Sequence, residues 1–337
     1  MRALAWPRVG KGFDVMRSKA DRLSVFVASR FIGAVEDDLA ERFDLTFSTS
    51  ADPIRDLRES TGEFDAVLFS LDLPMRRETI AALPTRIGAL ATYSVGTDHV
   101  DLEAARERGL AVFNTPGVLA DSVAENAMLL MLGAARRATE SVALIRSQAW
   151  PGWNPTQLVG AQLSGRTLGI LGMGDIGLRV ADRAAAFGMK VLYSNRRPLS
   201  GDHRYAEGYR SSAEELVVDS DILLLACPST SETRGILDRA LLAKARPGLI
   251  VVNIARGDLV DDHALISALR DGRVWGAALD VFDGEPTVAQ GYFDLPNVFM
   301  LPHIGSSTLE ARVGMGRVLI QALESWRLGR AVANRVC

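Results

Sequence analysis

The amino-acid sequence predicts an α/β protein built as two doubly wound parallel sheets. Three observations carry this. Short runs of Val, Ile, Leu and Ala recur without the polar alternation of a half-solvated sheet, as strands buried on both faces do. Helical patterns separate these runs one by one, the alternation that a parallel sheet requires. The chain has 337 residues, which at roughly 150 residues per domain is room for two such units.

A first series of strands is read at Leu23–Ala28, Ala66–Ser70, Ala89–Tyr93 and Ala111–Asn114, with helices at Gly33–Arg42 and Leu102–Arg108. Asp121–Ala149 then reads as one long helix, capped by Asp121 and apolar at Val123, Ala127, Leu130 and Ala134. The run Trp150-Pro151-Gly152-Trp153-Asn154-Pro155 stops it, because proline and glycine cannot continue a helix. A second series follows at Thr167–Leu171, Lys190–Ser194, Ile222–Ala226, Leu249–Ile254, Val274–Leu279 and Val298–Leu301, with helices at Ile176–Phe187 and Asp261–Asp271. Ser307–Leu328 reads as a last long helix that crosses back to the first domain and makes it discontinuous.

The remaining composition excludes several classes. Lys and Arg number 38 against 41 Asp and Glu, a net charge of −3, without the basic excess of a nucleic-acid protein. Hydrophobic residues at 48% and charged residues at 23% exclude global disorder. The two cysteines, Cys227 and Cys337, form no CxxC, so no disulfide framework or cysteine zinc site is expected, and a reducing cytoplasm is the simplest compartment. No metal centre is expected. Before Leu23, Lys11, Asp14, Arg17 and Lys19 interrupt any apolar stretch, so the segment with Trp6 and Pro7 reads as an extension rather than a signal peptide. No window reaches the roughly 18 apolar residues of a membrane span.

The strand Thr167–Leu171 runs directly into Gly172-Met173-Gly174-Asp175-Ile176-Gly177 and a helix. In that context GxGxxG is a dinucleotide-binding turn. Gly172 allows the turn, Gly174 lets a pyrophosphate approach the backbone, and Gly177 lets helix and strand pack closely. The next strand, Lys190–Ser194, ends in Asn195-Arg196-Arg197-Pro198, with no carboxylate before Asp202. A carboxylate there would bind the ribose 2′-OH of NAD, whereas two guanidiniums suit a 2′-phosphate. NADP(H) is therefore the preferred coenzyme, with NAD(H) possible.

Carbonyl reduction by such a coenzyme needs a proton donor with pKa near 7. Of four histidines, His203 lies in a polar loop, His263 opens a helix, and His99 after Gly96-Thr97-Asp98 reads as a capping residue. His303 follows the apolar run Val298–Leu301 and Pro302, at the strand end where open α/β sheets hold ligands. Arg256 stands at the end of Leu249–Ile254, where its fork suits a substrate carboxylate. Val274–Leu279 leads into Asp280, Asp283 and Glu285, any of which is placed to hold the other imidazole nitrogen, and spacing does not choose among them.

Together these stretches resemble the D-isomer-specific 2-hydroxyacid dehydrogenases. The matching runs are Ser94-Val95-Gly96-Thr97-Asp98-His99-Val100-Asp101, Asn114-Thr115-Pro116-Gly117-Val118, Gly172–Gly177, Cys227-Pro228-Ser229-Thr230, Asn253–Gly257, Ala278–Phe282 through Glu285-Pro286, and Pro302–Thr308. The resemblance implies a Rossmann coenzyme domain, residues 119–305, inserted in a flavodoxin-like substrate domain of residues 1–118 and 306–337. It implies His303 as acid/base, Glu285 as its partner, Arg256 on the substrate, and Val95, Gly96 and Ser306 around the substrate carboxylate. Met173, Asp175 and Ile176 would lie under the pyrophosphate and Asp280 near the nicotinamide ribose. Ser194, Cys227, Pro228, Thr233, Ile254, Ala255 and Gly305 would line the coenzyme site. Asn195-Arg196-Arg197 is similar to the NADP-using glyoxylate/hydroxypyruvate reductase branch.

The resemblance also implies a homodimer with an arm over about residues 121–162, and Trp153 resembles a tryptophan that reaches a neighbouring active site. Arg30-Phe31 and Ser70-Leu71 occupy places at the substrate mouth. The expected reaction is reduction of glyoxylate or hydroxypyruvate, with no nucleic-acid or membrane partner. The nearest alternatives are phenylpyruvate, 2-ketoisocaproate, D-lactate or phosphoglycerate chemistry. A phosphorylated substrate would require extra basic residues at the mouth, and with the chain closing at Cys337 no regulatory domain is expected. A non-enzymatic dinucleotide sensor of the corepressor kind is a more distant alternative, and the intact Arg256, Glu285 and His303 set speaks against it.

Overall fold

The computed structural model describes residues 22–337, and the expected extension before Leu23 lies outside them. The chain divides into two units. One holds the described residues up to Thr115 together with Met315–Cys337, and the other is Pro116–Gly314.

The first unit contains β1 (Ser24–Val27), α1 (Gly33–Arg42), β2 (Asp44–Phe47), α2 (Pro53–Glu59), β3 (Ala66–Phe69), α3 (Arg77–Ala82), β4 (Ala89–Thr92), α4 (Leu102–Glu107) and β5 (Ala111–Phe113). All strand pairs are parallel, in the order β2-β1-β3-β4-β5. Every residue of β3, β4 and β5 is buried. Strand β2 was not expected from the sequence. It is an edge strand whose residues are exposed or half-buried, so it lacks the solid apolar run that marks its neighbours. Asp101 caps α4 by accepting from Ala104 N at 2.8 Å. The C-terminal tail covers the other edge: Arg335 bridges Phe113 in antiparallel fashion and Val336 N donates to Val112 O at 2.8 Å.

The second unit contains α5 (Ala120–Ala135), α6 (Ala138–Arg146), β6 (Thr167–Leu171), α7 (Asp175–Ala186), β7 (Lys190–Ser194), β8 (Tyr209–Arg210), α8 (Ala213–Asp219), β9 (Ile222–Leu225), α9 (Arg239–Lys244), β10 (Leu249–Asn253), α10 (Asp262–Arg270), β11 (Val274–Leu279) and β12 (Val298–Met300). Its seven strands are all parallel, in the order β12-β11-β10-β9-β6-β7-β8. Strand order reverses between β6 and β9, so a crevice opens at their carboxyl ends. The final helix, α11 (Leu309–Arg327), runs through the division between the units.

The single helix expected over Asp121–Ala149 is two. Arg137 adopts a left-handed conformation, φ 54°, between α5 and α6. The reason is competition for the end of α5: Ala161 N, from the returning chain, takes Ala135 O at 2.7 Å, and Arg137 folds onto Glu140 through two hydrogen bonds of 2.8 and 2.6 Å. Asp121 is not the cap either. It lies in the first turn, with Leu119 as N-cap, and pairs with Arg179 and Arg183 of α7 at 2.8 and 2.9 Å. Helix α5 is buried over most of its surface, whereas α6 has no buried residue. Along the stretch expected as an arm, Leu129 of α5 is exposed, and after Arg137 so are Val142, Ile145, Trp150, Trp153 and Val159.

Candidate active site

Strand β6 delivers the chain to Gly172, whose φ of 103° is in the region that favours glycine. A Cβ there would stand 2.5 Å from Cys227 N and 2.6 Å from its Cα, so the turn lies directly against the end of β9. A Cβ at Gly177 would lie 2.5 Å from Gly172 O, and beside Gly174 the space is open. Gly174 is the N-cap of α7, and no side chain caps that helix. Its first amides are thus left for an anion, reinforced by the helix dipole. The turn fits a dinucleotide pyrophosphate on these grounds. Met173 is buried, Ile176 is half-buried, and Asp175 is exposed and paired with Arg179 at 3.2 Å.

Asn195 does more than leave out a carboxylate. Its Oδ1 accepts from Met173 N at 2.6 Å and its Nδ2 donates to Met173 O at 3.2 Å, so its amide clamps the glycine turn. An aspartate could accept but not donate. Ser194 is buried and contributes its carbonyl, which accepts from Gly172 N at 3.0 Å. Arg196 and Arg197 are exposed and make no ion pair among the described residues. Cys227 is buried, and burial pushes its thiol up to about 11, so it stays neutral. Thr233 Oγ1 donates to Pro228 O at 2.7 Å and closes the loop after β9.

The protonic centre forms where the loops after β10, β11 and β12 meet. His303 Nδ1 lies 2.7 Å from Glu285 Oε2, and Phe282 N donates to Glu285 Oε1 at 2.8 Å. Burial opposes ionisation of Glu285. The hydrogen bonds from His303 and Phe282, with the positive charge of His303 and Arg256, outweigh it and hold the carboxyl below its ordinary value. An ionised Glu285 can only accept, so His303 Nδ1 carries the proton. His303 Nε2 meets no protein partner among the described residues.

The backbone supports this pair. His303 has φ 53°, and its N–H donates to Asp280 O at 2.8 Å. Asp280 is buried, its carboxyl raised by burial against the pull of backbone donors. Its two oxygens accept from Ile304 N at 2.9 Å and Gly305 N at 2.8 Å. It thus grips the His303 loop, a function that spacing did not reveal. Gly305 O accepts from Ser122 Oγ at 2.7 Å, and Ser306 is half-buried beside it. Arg256 donates to Ala255 O at 2.7 Å, and buried Asn253 braces the same loop through Ala255 N and Arg256 O. Ile254 is buried. At Gly257 a Cβ would collide with the backbone of Phe282 and Asp283, so only glycine lets the loop of Arg256 pack on that of Glu285.

In the first unit, the chain after β4 holds Val95 and Gly96. Val95 O accepts from Asn114 Nδ2 at 2.8 Å and Gly96 O from Ser94 Oγ at 2.7 Å. The N–H groups of Val95, Gly96 and Thr97 have no protein acceptor among the described residues. His99 is not a helix cap, since Asp101 is. It is buried, with Nε2 2.7 Å from Thr92 Oγ1. His203 is half-buried and accepts from Tyr205 N at 3.3 Å, and His263 is exposed. Arg30 is bound to Glu36 at 2.8 and 2.7 Å, while the Phe31 ring lies 4.6 Å from that of Tyr93. Ser70 N donates to Ser29 Oγ at 3.2 Å, and Leu71 is half-buried. Among the described residues no cluster of acidic, His or Cys side chains can hold a metal, and no helix is long and apolar enough to cross a membrane.

Residues 128–305 match the family described as D-isomer specific 2-hydroxyacid dehydrogenase, NAD binding domain. A glycerate dehydrogenase of Hyphomicrobium methylovorum is 44% identical over 264 residues, 78% of this chain and 82% of that one. A glyoxylate reductase of Thermococcus litoralis is 40% identical over 286 residues, 83% of this chain and 86% of that one. The solved structure of an NADPH-dependent glyoxylate/hydroxypyruvate reductase of Sinorhizobium meliloti, in complex with NADP and malonate, is 30% identical with a TM-score of 0.83, covering 94% of this chain and 97% of that one. The family that the motifs resemble is therefore the family found: this chain belongs to the D-isomer specific 2-hydroxyacid dehydrogenases and is an NAD(P)-dependent oxidoreductase of 2-oxoacids.

Proposed function

We propose that the enzyme reduces glyoxylate or hydroxypyruvate to the D-2-hydroxyacid with NADPH. The observation that carries the reading is the His303–Glu285 pair, with Arg256 on a loop packed against it. Arg256 binds the substrate carboxylate and polarises the adjacent carbonyl. The amides of Val95 and Gly96, which have no protein acceptor among the described residues, are donors suited to a carboxylate. His303 gives an Nε2 proton to the carbonyl oxygen and keeps its Nδ1 proton hydrogen-bonded to Glu285. When bound, the nicotinamide coenzyme supplies the hydride to the carbonyl carbon. The glycine turn and the α7 N-terminus hold its pyrophosphate, and Arg196 and Arg197 its 2′-phosphate.

The unit built on β6–β12 is the coenzyme domain and the other the substrate domain. Arg30, neutralised by Glu36, offers no free charge to a phosphorylated substrate, which favours a small unphosphorylated acid. The exposed Val142, Ile145 and Trp150 support a homodimer arm, with Trp153 directed to a partner. The free Cys227 and Cys337 support work in the cytoplasm. An NADPH-oxidation screen over glyoxylate, hydroxypyruvate, pyruvate, phenylpyruvate and 2-ketoisocaproate tests the proposal. The first two are expected to give the highest kcat/KM. A profile led by the bulky substrates, or NADH preferred by about tenfold, would refute it.

A further inference from the structure

Between β4 and α4 the chain has no regular structure up to Asp101, yet polar side chains in it and beside it are buried. Thr92, Ser94 and His99 are all buried, as is Asn114 beside them. Ser94 Oγ donates to Gly96 O at 2.7 Å and lies 2.8 Å from Thr92 Oγ1, which lies 2.7 Å from His99 Nε2. A hydroxyl has one proton. Ser94 gives its own to Gly96 O, so it accepts from Thr92. Thr92 has then given its proton, so it accepts from His99 Nε2–H. The result is a one-way chain of donors from His99 through Thr92 and Ser94 to the Gly96 carbonyl.

The consequence follows from peptide geometry. These peptide bonds are trans, so each C=O and the N–H of the next residue point in opposite directions. Asn114 pulls Val95 O inward and thereby turns Gly96 N–H outward. Ser94 pulls Gly96 O inward and thereby turns Thr97 N–H outward. Neither amide has a protein acceptor among the described residues. Consecutive outward amides form an anion-binding concavity.

We propose that the buried His99–Thr92–Ser94 relay is a positioning device for substrate binding, aiming the Gly96–Thr97 peptide so that Thr97 N–H joins Gly96 N–H as a donor to the 2-oxoacid carboxylate. This rests on the function proposed above. The members of the relay act through the peptide and touch no substrate.

Thr92→Val removes the hydroxyl at nearly constant shape, and Thr92→Ser keeps it. Losing one aimed hydrogen bond to a charged group costs about tenfold in affinity. Thr92→Val is expected to raise KM for glyoxylate about tenfold at saturating NADPH, with kcat changed about threefold or less and the NADPH Kd unaltered. Thr92→Ser is expected to restore KM to within about threefold of the parent. Oxamate affinity, read by calorimetry on the NADPH-loaded protein, makes the same comparison without turnover. A parental KM and oxamate Kd in Thr92→Val would overturn the relay, as would equal damage in both variants. A parent protein that binds oxamate but reduces no 2-oxoacid would instead overturn the proposed reaction and leave the relay to the calorimetric comparison.

Discussion

Gly257→Ala carries the most direct test of how the protonic centre is held. The added methyl would fall inside the backbone of Phe282 and Asp283, far closer than any real Cβ contact, and neither neighbour is a flexible side chain. One of the two loops must retreat by about 1 Å or more to restore van der Waals spacing. The displacement has a defined route: Phe282 N donates to Glu285 at 2.8 Å, and Glu285 holds His303 at 2.7 Å. A misplacement of about 1 Å in a catalytic group costs about 100-fold, and overpacking at such a contact costs about 1–3 kcal/mol of stability. The assay is kcat for 2-oxoacid reduction at saturating substrates, with thermal melting in parallel. Gly272→Ala serves as the comparison, because Gly272 has φ 75° with nothing within 4 Å of its Cβ. It is strained by about 1–2 kcal/mol yet touches no part of the centre, so it is expected to lower Tm and leave kcat intact. A Gly257→Ala enzyme with kcat within about threefold of the parent would refute the claim that this contact holds Arg256 and Glu285 in register.

Two further outcomes follow from the same geometry. Glu285 is held below its ordinary pKa, so it stays ionised until the pH falls through that lowered value. Glu285→Gln removes that anionic acceptor of the His303 Nδ1 proton, so kcat for reduction should fall about 100-fold, and a kcat within about threefold of the parent would contradict the assigned pairing. Arg196→Ala combined with Arg197→Ala should raise the KM for NADPH by about 10–100-fold and leave that for NADH within about threefold, because only the former carries the 2′-phosphate. Equal losses with both coenzymes would assign these side chains to general folding.

Much of this was legible in the sequence because burial and chemistry coincide there. The solid apolar runs at Ile222–Leu225 and Leu249–Asn253 are the centre of a sheet, and the residues just past their ends fall at its ligand-binding edge. His303 and Arg256 stood out by position alone, whereas Glu285 could be chosen over Asp280 and Asp283 only through the family pattern. Edge strands β2 and β8 escaped because an edge needs no continuous apolar run. The break at Arg137 was hidden because it depends on Ala161 reaching Ala135, a contact that no helical period encodes. Asn195 carried a message about charge that was easy to read. Its two-sided hold on Met173 needed the third dimension.

The discontinuity of the first unit sets an order of events during synthesis. Its strands β1–β5 emerge from the ribosome first, but the tail residues that pair with Val112 and Phe113 come only after Pro116–Gly314 has been made. At about 5–20 residues per second that interval is roughly 10–40 s, long enough for the intervening unit, contiguous in sequence, to fold on its own. Through that time the edge of β5 has unpaired backbone groups, a template for strand addition by another nascent chain. Arg335 and Val336, which lie outside the proposed site, therefore protect the newborn enzyme against association through its own sheet.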